Sequence, residues 1–328
     1  MGYSLVDISY KKVHTSYNMN TSESEKVCAN CGKGEENGIN LKACTACMLV
    51  KYCNRECQIA HRPQHKRECK KRAAELHDEK LFEEPPPSKE DCPICFIRIP
   101  TQNSERTYMA CCGKDICSGC VHAFQSRAVL AGRIKEDNIC PFCRTPPPSS
   151  DEEMIKRYEK RVEMNDVDAI FNLGDIFLRG VRGLPQSNAK ALELFHRAAE
   201  LGYAGAYTKL GSAYFNGRGV ERDEKKAVHY WELGALGGDS FARHNLGSIE
   251  ERKGNMDRAL KHFMIAVRDG CPRTLEAIKD MYQYGLVTKE DYTKALLSYQ
   301  AYLGEIKSDQ RDEVAAFSNR ARELGYNY

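Results

Sequence analysis

From residue 154 onward, small and apolar residues return at helical spacing and at a nearly fixed period. Leu173-Gly174 recurs as Leu210-Gly211, Leu246-Gly247 and Ile278-Lys279, at intervals of 37, 36 and 32 residues. Four positions before each stands a small residue: Ala169, Ala206, Ala242 and Thr274. Downstream, an alanine is followed one helical turn later by an aromatic: Ala191 and Phe195, Ala227 and Trp231, Ala259 and Phe263, Ala295 and Tyr299. Small residues let two helices approach, and the aromatics fill the groove between them. The pattern predicts a stack of helix pairs. Gly217-Arg218-Gly219-Val220 marks the turn within the second unit, shortened to Gly254-Asn255 in the third, and the fourth unit is degenerate.

The N-terminal half has no such period. Its punctuation is proline: EEPPPSKE over 83–90 and TPPPSSDEE over 145–153 read as linkers, because consecutive prolines impose extended geometry and end helices. Residues 1–26 are polar and aperiodic and read as a disordered arm. AAELHDEKLF over 73–82 reads as a helix extension, and the charged, alanine-containing 305–328 as a capping helix.

Cysteine changes the picture. Fifteen of the 16 cysteines lie between residues 28 and 143, with Cys271 alone beyond them. The N-terminal stretch has no apolar segment of the signal-peptide kind, and Val6 breaks the myristoylation pattern. A reducing compartment, cytoplasmic or nuclear, and metal-bound thiolates are therefore expected. No run has the apolar length of a membrane span.

Residues 28–69 hold eight potential ligands: Cys28, Cys31, Cys44, Cys47, Cys53, Cys57, His65 and Cys69. Four-ligand sets suit closed structural zinc, so eight ligands mean two ions. So short a segment cannot bury enough core to fold alone, and metal must supply the folding free energy. The segment, with its strings KYCNRECQIAH and HKREC, resembles a MYND finger. The resemblance implies that Cys28, Cys31, Cys53 and Cys57 hold one zinc, and Cys44, Cys47, His65 and Cys69 the other. His65 rather than His61 completes the His-x3-Cys spacing. It also implies a surface for short proline-containing peptides, on which Gln58 matches a family position. Arg62 replaces the family's usual Trp there.

Residues 92–143 carry Cys92, Cys95, Cys111, Cys112, Cys117, Cys120, Cys140 and Cys143, again a zinc-like spacing. They resemble a RING finger of the all-cysteine kind. Lys114 stands at the usual His position, and a protonated lysine cannot ligate zinc. The resemblance implies Cys92, Cys95, Cys117 and Cys120 on one ion and Cys111, Cys112, Cys140 and Cys143 on the other, four zinc ions in all. It further implies that a ubiquitin-conjugating enzyme docks on Ile94, Phe124 and Pro141, with Arg144 bridging it to ubiquitin. His122 falls outside the ligand spacing and reads as surface. Residues 166–304, with LGSAYFNGRGV as their clearest copy, resemble Sel-1-like repeats, relatives of tetratricopeptide repeats, which implies a concave surface for a protein substrate or adaptor.

The fold class is thus mostly α: two small zinc-stabilised cross-brace fingers followed by an α-helical solenoid of helix-pair repeats. The expected domains are 1–26, 27–72, 73–90, 91–144, 145–153, 154–304 and 305–328. The net charge of +3 offers no broad field for nucleic acid or an anionic membrane. Residues 26–72 carry 11 Lys and Arg against 4 Asp and Glu. That surplus reads as compensation for zinc-bound thiolates rather than as a nucleic-acid patch. Two functions follow from different classes. One is a RING-type ubiquitin ligase whose MYND finger and repeats recruit partners; the other is a non-catalytic zinc-finger scaffold. A zinc hydrolase is excluded because every ion has four protein ligands and no open position for water. A MYND-linked methyltransferase is excluded because repeats occupy the space of its catalytic domain.

Overall fold

The computed structural model describes residues 27–34, 39–83, 91–101, 106–130 and 139–323. The arm expected over 1–26 and nearly all of the linker expected over 83–90 lie outside the described residues. The fold is mostly α, with twelve helices and two two-stranded sheets among the described residues. The chain divides into two compact units, residues 1–80 and 81–328.

In the first unit, β1 (Lys42–Ala43) pairs antiparallel with β2 (Lys51–Tyr52), Lys42 opposite Tyr52. Helix α1 (Arg55–Phe82) follows. Asn54 caps it, its side chain accepting the Cys57 backbone N–H at 2.8 Å. The buried core is Cys28, Leu41, Cys44, Cys47 and Tyr52. Three of those five are cysteines, so there is little apolar burial here to hold a fold without a metal.

In the second unit, β3 (Arg106–Met109) and β4 (Lys114–Cys117) form an antiparallel hairpin, and α2 (Ser118–Leu130) leads out of it. Ten helices follow: α3 (Asp151–Glu163), α4 (Val167–Arg179), α5 (Asn188–Glu200), α6 (Ala204–Asn216), α7 (Glu224–Leu236), α8 (Ser240–Arg252), α9 (Met256–Arg268), α10 (Pro272–Gln283), α11 (Lys289–Ile306) and α12 (Asp309–Glu323). Side-chain caps start most of them. Ser150, Asp166, Ser187, Asp223, Asp239 and Thr288 each accept a backbone N–H from the first turn. Gly180 and Gly217, in left-handed conformation, end α4 and α6.

The helices pack as sequential pairs, α4 with α5, α6 with α7, α8 with α9 and α10 with α11. The repeated glycines explain how. A Cβ on Gly174 would lie 2.8 Å from the Phe195 ring, and one on Gly211 would lie 2.5 Å from the Trp231 ring. In these units the aromatic of the second helix occupies the space that the first helix leaves free. Phe195, Trp231 and Phe263 are buried in consequence, and the small residues Ala169, Ala206 and Ala242 are fully covered. These contacts form the cores of the solenoid.

Candidate metal centres

Four turns of one construction place half of the sulphurs. In each of these four Cys-x2-Cys turns, the residue after the second cysteine is left-handed, and its N–H donates to the carbonyl of the first. Gly32 donates to Cys28, Met48 to Cys44, Phe96 to Cys92 and Arg144 to Cys140, at 2.8–2.9 Å. Three of these four residues are not glycine. Such a conformation in a bulky residue is costly, and here the fold of the turn imposes it.

The turns bring together the sets Cys28, Cys31, Cys53, Cys57; Cys44, Cys47, His65, Cys69; Cys92, Cys95, Cys117, Cys120; and Cys111, Cys112, Cys140, Cys143. Within each set the ligand atoms lie inside 4.8 Å of one another. Zinc fits them. A tetrahedron with Zn–S bonds of about 2.3 Å has edges of about 3.8 Å. The Sγ–Sγ separations are 3.7 Å for Cys31–Cys53 and Cys44–Cys69, 3.8 Å for Cys95–Cys117 and 3.6 Å for Cys112–Cys140. Cys47 Sγ lies 3.1 Å from His65 Nε2. All sixteen cysteines are free of disulfides.

The thiols of each set are driven apart in acidity. Burial pushes Cys28 up, but the N–H groups of Cys31, Cys53 and Asn30 outweigh it and bring it down to about 6. Cys53 is pushed up to about 12, first by its contact with Cys57. Cys44 is likewise down to about 6 against burial, and burial pushes its neighbour Cys69 up to about 12. Packed sulphurs thus favour a first negative charge and resist the next, the repulsion a divalent cation relieves.

The hairpin accounts for the two adjacent cysteines of the last set. Cys111 and Cys112 occupy the β3–β4 turn, where the N–H groups of Cys112 and Gly113 both donate to Met109 O. Gly113 is left-handed, which lets the chain fold back at once after Cys112. Lys114 is the exposed first residue of β4, opposite Met109. His61 is no member of a set; its Nδ1 lies 3.1 Å from the Tyr52 hydroxyl, and its ring stacks on His65.

Ile94, Phe124 and Pro141 line one groove of about 550 Å3, together with Pro146, Pro147 and Pro148 of the segment beyond the last ligand. Ile94 is 40% exposed and Phe124 half-buried, while Pro141 and Arg144 are exposed. Arg157 of α3 holds that proline segment by donating to Pro146 O at 2.9 Å. On the first finger Gln58 and Arg62 are exposed on α1. Met48, Leu49 and Ile59 there are exposed apolar side chains that no sequence motif singled out.

Sequence reasoning also missed the seam between the 92–143 segment and the solenoid. Arg106 pairs with Asp168 of α4, Tyr108 donates to Asp166 at 2.8 Å, and Arg161 of α3 donates to Cys111 O. At the other end of the solenoid, Arg98 pairs with Glu305, and the Thr101 hydroxyl donates to Asp269 O at 2.7 Å. The segment thereby spans from the first helices to the last. It roofs a cavity of about 850 Å3 lined by first helices of successive units, with Phe171, Lys209, Asn245 and Arg252 among the lining residues.

The family model for the MYND finger matches residues 28–69, and that for the Sel1 repeat matches 167–203, 204–239 and 277–297. The chain carries a MYND finger and Sel1 repeats. Between the matched stretches, α8 and α9 repeat the same construction, with the Phe263 ring against Gly247. Among similar proteins are the uncharacterized protein NMB1327 of Neisseria meningitidis, 35% identical over 178 residues, 51% of this chain and 36% of that protein. The E3 ubiquitin-protein ligase DA2 of Arabidopsis thaliana is 35% identical over 72 residues, 22% of this chain and 16% of that one. A crystal structure of a Sel1 repeat protein from Oxalobacter formigenes is 28% identical with a TM-score of 0.41, covering 48% of this chain and 62% of that one. The chain spans between 15% and 36% of the length of the curated relatives it matches. No described helix is long and apolar enough to cross a membrane.

Proposed function

We propose that the chain is a RING-type ubiquitin ligase. The observation that carries this is the single groove in which Ile94, Phe124 and Pro141 meet on the 92–143 finger. A groove that sets an exposed aliphatic anchor and a proline run beside Arg106, Arg157, Arg179 and Arg182 suits a protein helix or loop, and Arg144 stands exposed just after the last cysteine of the finger. Four zinc ions hold the two fingers, two in each, on the sets given above. When bound, zinc supplies folding free energy and rigidity, and its closed four-ligand shells leave it no catalytic position.

The chemistry then belongs to orientation. The groove holds a ubiquitin-loaded conjugating enzyme; Arg144 bridges it to ubiquitin and holds the thioester carbonyl for attack by a substrate lysine amine, the C–N bond forming as the C–S bond breaks and the conjugating enzyme's cysteine leaves as thiolate. No covalent intermediate forms on this chain. The solenoid recruits a protein substrate or adaptor along the cavity beneath the finger, and the MYND finger takes a proline-containing peptide at Gln58. Relatives named as ubiquitin ligases, and one named as a ubiquitin-ligase component, support this reading over short stretches. The cysteine usage supports an intracellular, reducing site of action, cytoplasmic or nuclear.

Auto-ubiquitination of the purified protein with a panel of conjugating enzymes tests it. Chains that form, and vanish with Ile94→Ala, are expected. The scaffold reading has its own support in the roofed cavity and the two fingers. It prevails if no transfer occurs across the panel while metal analysis finds all zinc sites filled.

A further inference from the structure

The two fingers differ in how they could balance their thiolates. A zinc ion held by four thiolates carries a formal charge of about −2. The MYND segment has a surplus of seven cations, 11 against 4. Residues 91–144 have seven Lys and Arg against five Asp and Glu, a surplus of two, against about −4 from two such centres. The balance for this finger must come from elsewhere.

Arg311 of α12 supplies a charge at the right place. It is 8% exposed, yet it lies far in sequence from any finger. Its Nη1 donates to Arg98 O at 2.8 Å and to Ile306 O at 2.7 Å, and its Nη2 donates to Ile97 O at 3.3 Å. The same Nη2 lies 4.0 Å from Cys95 Sγ. The guanidinium is thus fixed to the carbonyls of the chain that leaves the Cys92–Cys95 turn, with one edge toward the sulphurs. A second feature shows that the approach is built in. Gly119 lies between the ligands Cys117 and Cys120, and a Cβ there would meet Arg311 Cγ at 2.7 Å and its backbone N at 2.9 Å. Gly119 is the opening through which α12 reaches the centre.

We infer that Arg311 is the counter-charge of the Cys92, Cys95, Cys117, Cys120 centre, so that the last helix of the solenoid governs how tightly this finger keeps its metal. The inference rests on the zinc reading of that set. Groups beyond the direct ligands that hold and polarise them typically alter metal affinity about 10- to 100-fold.

The test uses the full-length zinc-loaded protein, excess chelator, and a chromogenic zinc dye to follow release. Metal analysis of the untreated protein comes first: an empty 92–143 finger would refute the zinc reading itself. With the finger filled, Arg311→Gln, which keeps a hydrogen-bond donor but no charge, is expected to release one zinc equivalent about 10- to 100-fold faster than wild type. Arg311→Lys is expected to stay near the wild-type rate. Glu305→Gln, which breaks the pairing with Arg98 at the same seam, is expected to leave release unchanged. The inference is overturned if Arg311→Gln releases zinc at the wild-type rate, or if Arg311→Lys or Glu305→Gln is as fast as Arg311→Gln. Fast loss of two equivalents, the sign of a general collapse of the finger, overturns it as well.

Discussion

Arg106 on the finger's hairpin and Asp168 in the first turn of α4 stand 2.7 Å apart across 62 residues of chain. The same Arg106 nitrogen also donates to Asp115 on the opposing strand. The two acids keep the guanidinium charged against burial that works the other way. Both acids are largely covered, so removing the cation strands two carboxylates. Arg106→Met is expected to destabilise the unit by about 2–3 kcal/mol, under the full cost of breaking a buried pair because the site is partly wet. Hydrogen exchange at the hairpin amides 106–117 is the check; wild-type protection in the variant would show that the pair does not hold the seam.

Two glycines in helices should respond with opposite sign. An alanine at Gly211 puts its Cβ 2.5 Å from the Trp231 ring, which is also anchored by an Nε1 donation to Thr208 O. Helix propensity favours the change by up to about 1 kcal/mol, but overpacking costs about 1–3 kcal/mol. Gly211→Ala is expected to be net destabilising. Gly304, in the last turn of α11, has nothing within 4 Å of its Cβ position. Gly304→Ala is expected to stabilise by several tenths of a kcal/mol. Urea unfolding followed by the fluorescence of Trp231, the only tryptophan, measures both. Equal signs would refute the packing account.

The solenoid was legible because its packing rule is local and repeated: Leu-Gly in one helix, an aromatic in the next. The clustering of the cysteines was legible because cysteines at these spacings have few other uses. The seam was not. Arg98, Arg106, Tyr108 and Arg311 are ordinary in composition, and their partners lie 58 to 213 residues away. No local pattern distinguishes such an arginine from one in solvent. Gly119 was the one available signal, a glycine inside a helix turn between two ligands, and its reason is visible only once α12 is in place. The left-handed residues Met48, Phe96 and Arg144 were equally silent, since the turn forces a conformation their side chains do not advertise.

Cys111 decides the second centre of the RING-like finger. Its Sγ joins Cys112, Cys140 and Cys143, while Lys114 is no member of the set and is exposed on β4. Cys111→Ser is expected to lower the zinc content by one ion per chain, and Lys114→Ala to leave it unchanged. Metal analysis by mass spectrometry reads both directly. A full complement of zinc in Cys111→Ser would mean that the centre draws its ligand elsewhere.

The solenoid should weaken in mild acid for a reason separate from the metal. His262 is 1% exposed and packs against Phe82. Burial first, then Arg243 and Arg258, bring it down to about 3. Burial and Arg273 bring His244 down to about 4. A histidine whose folded value lies below its unfolded value of about 6.5 favours the folded state only while neutral. Its contribution is complete above pH ~6.5 and falls as the pH drops toward the folded value. Each of the two costs about 1.4 kcal/mol per pH unit across that window. Unfolding at Trp231 is therefore expected to lose about 3 kcal/mol between pH 6.5 and 5.0 from the pair, the slope reaching its full value only below the unfolded pKa, and about half of that in His262→Gln. Acid release of zinc from the thiolates adds to the wild-type and variant slopes alike, so the difference between them isolates the histidine. A His262→Gln slope equal to that of wild type would remove His262 from the account.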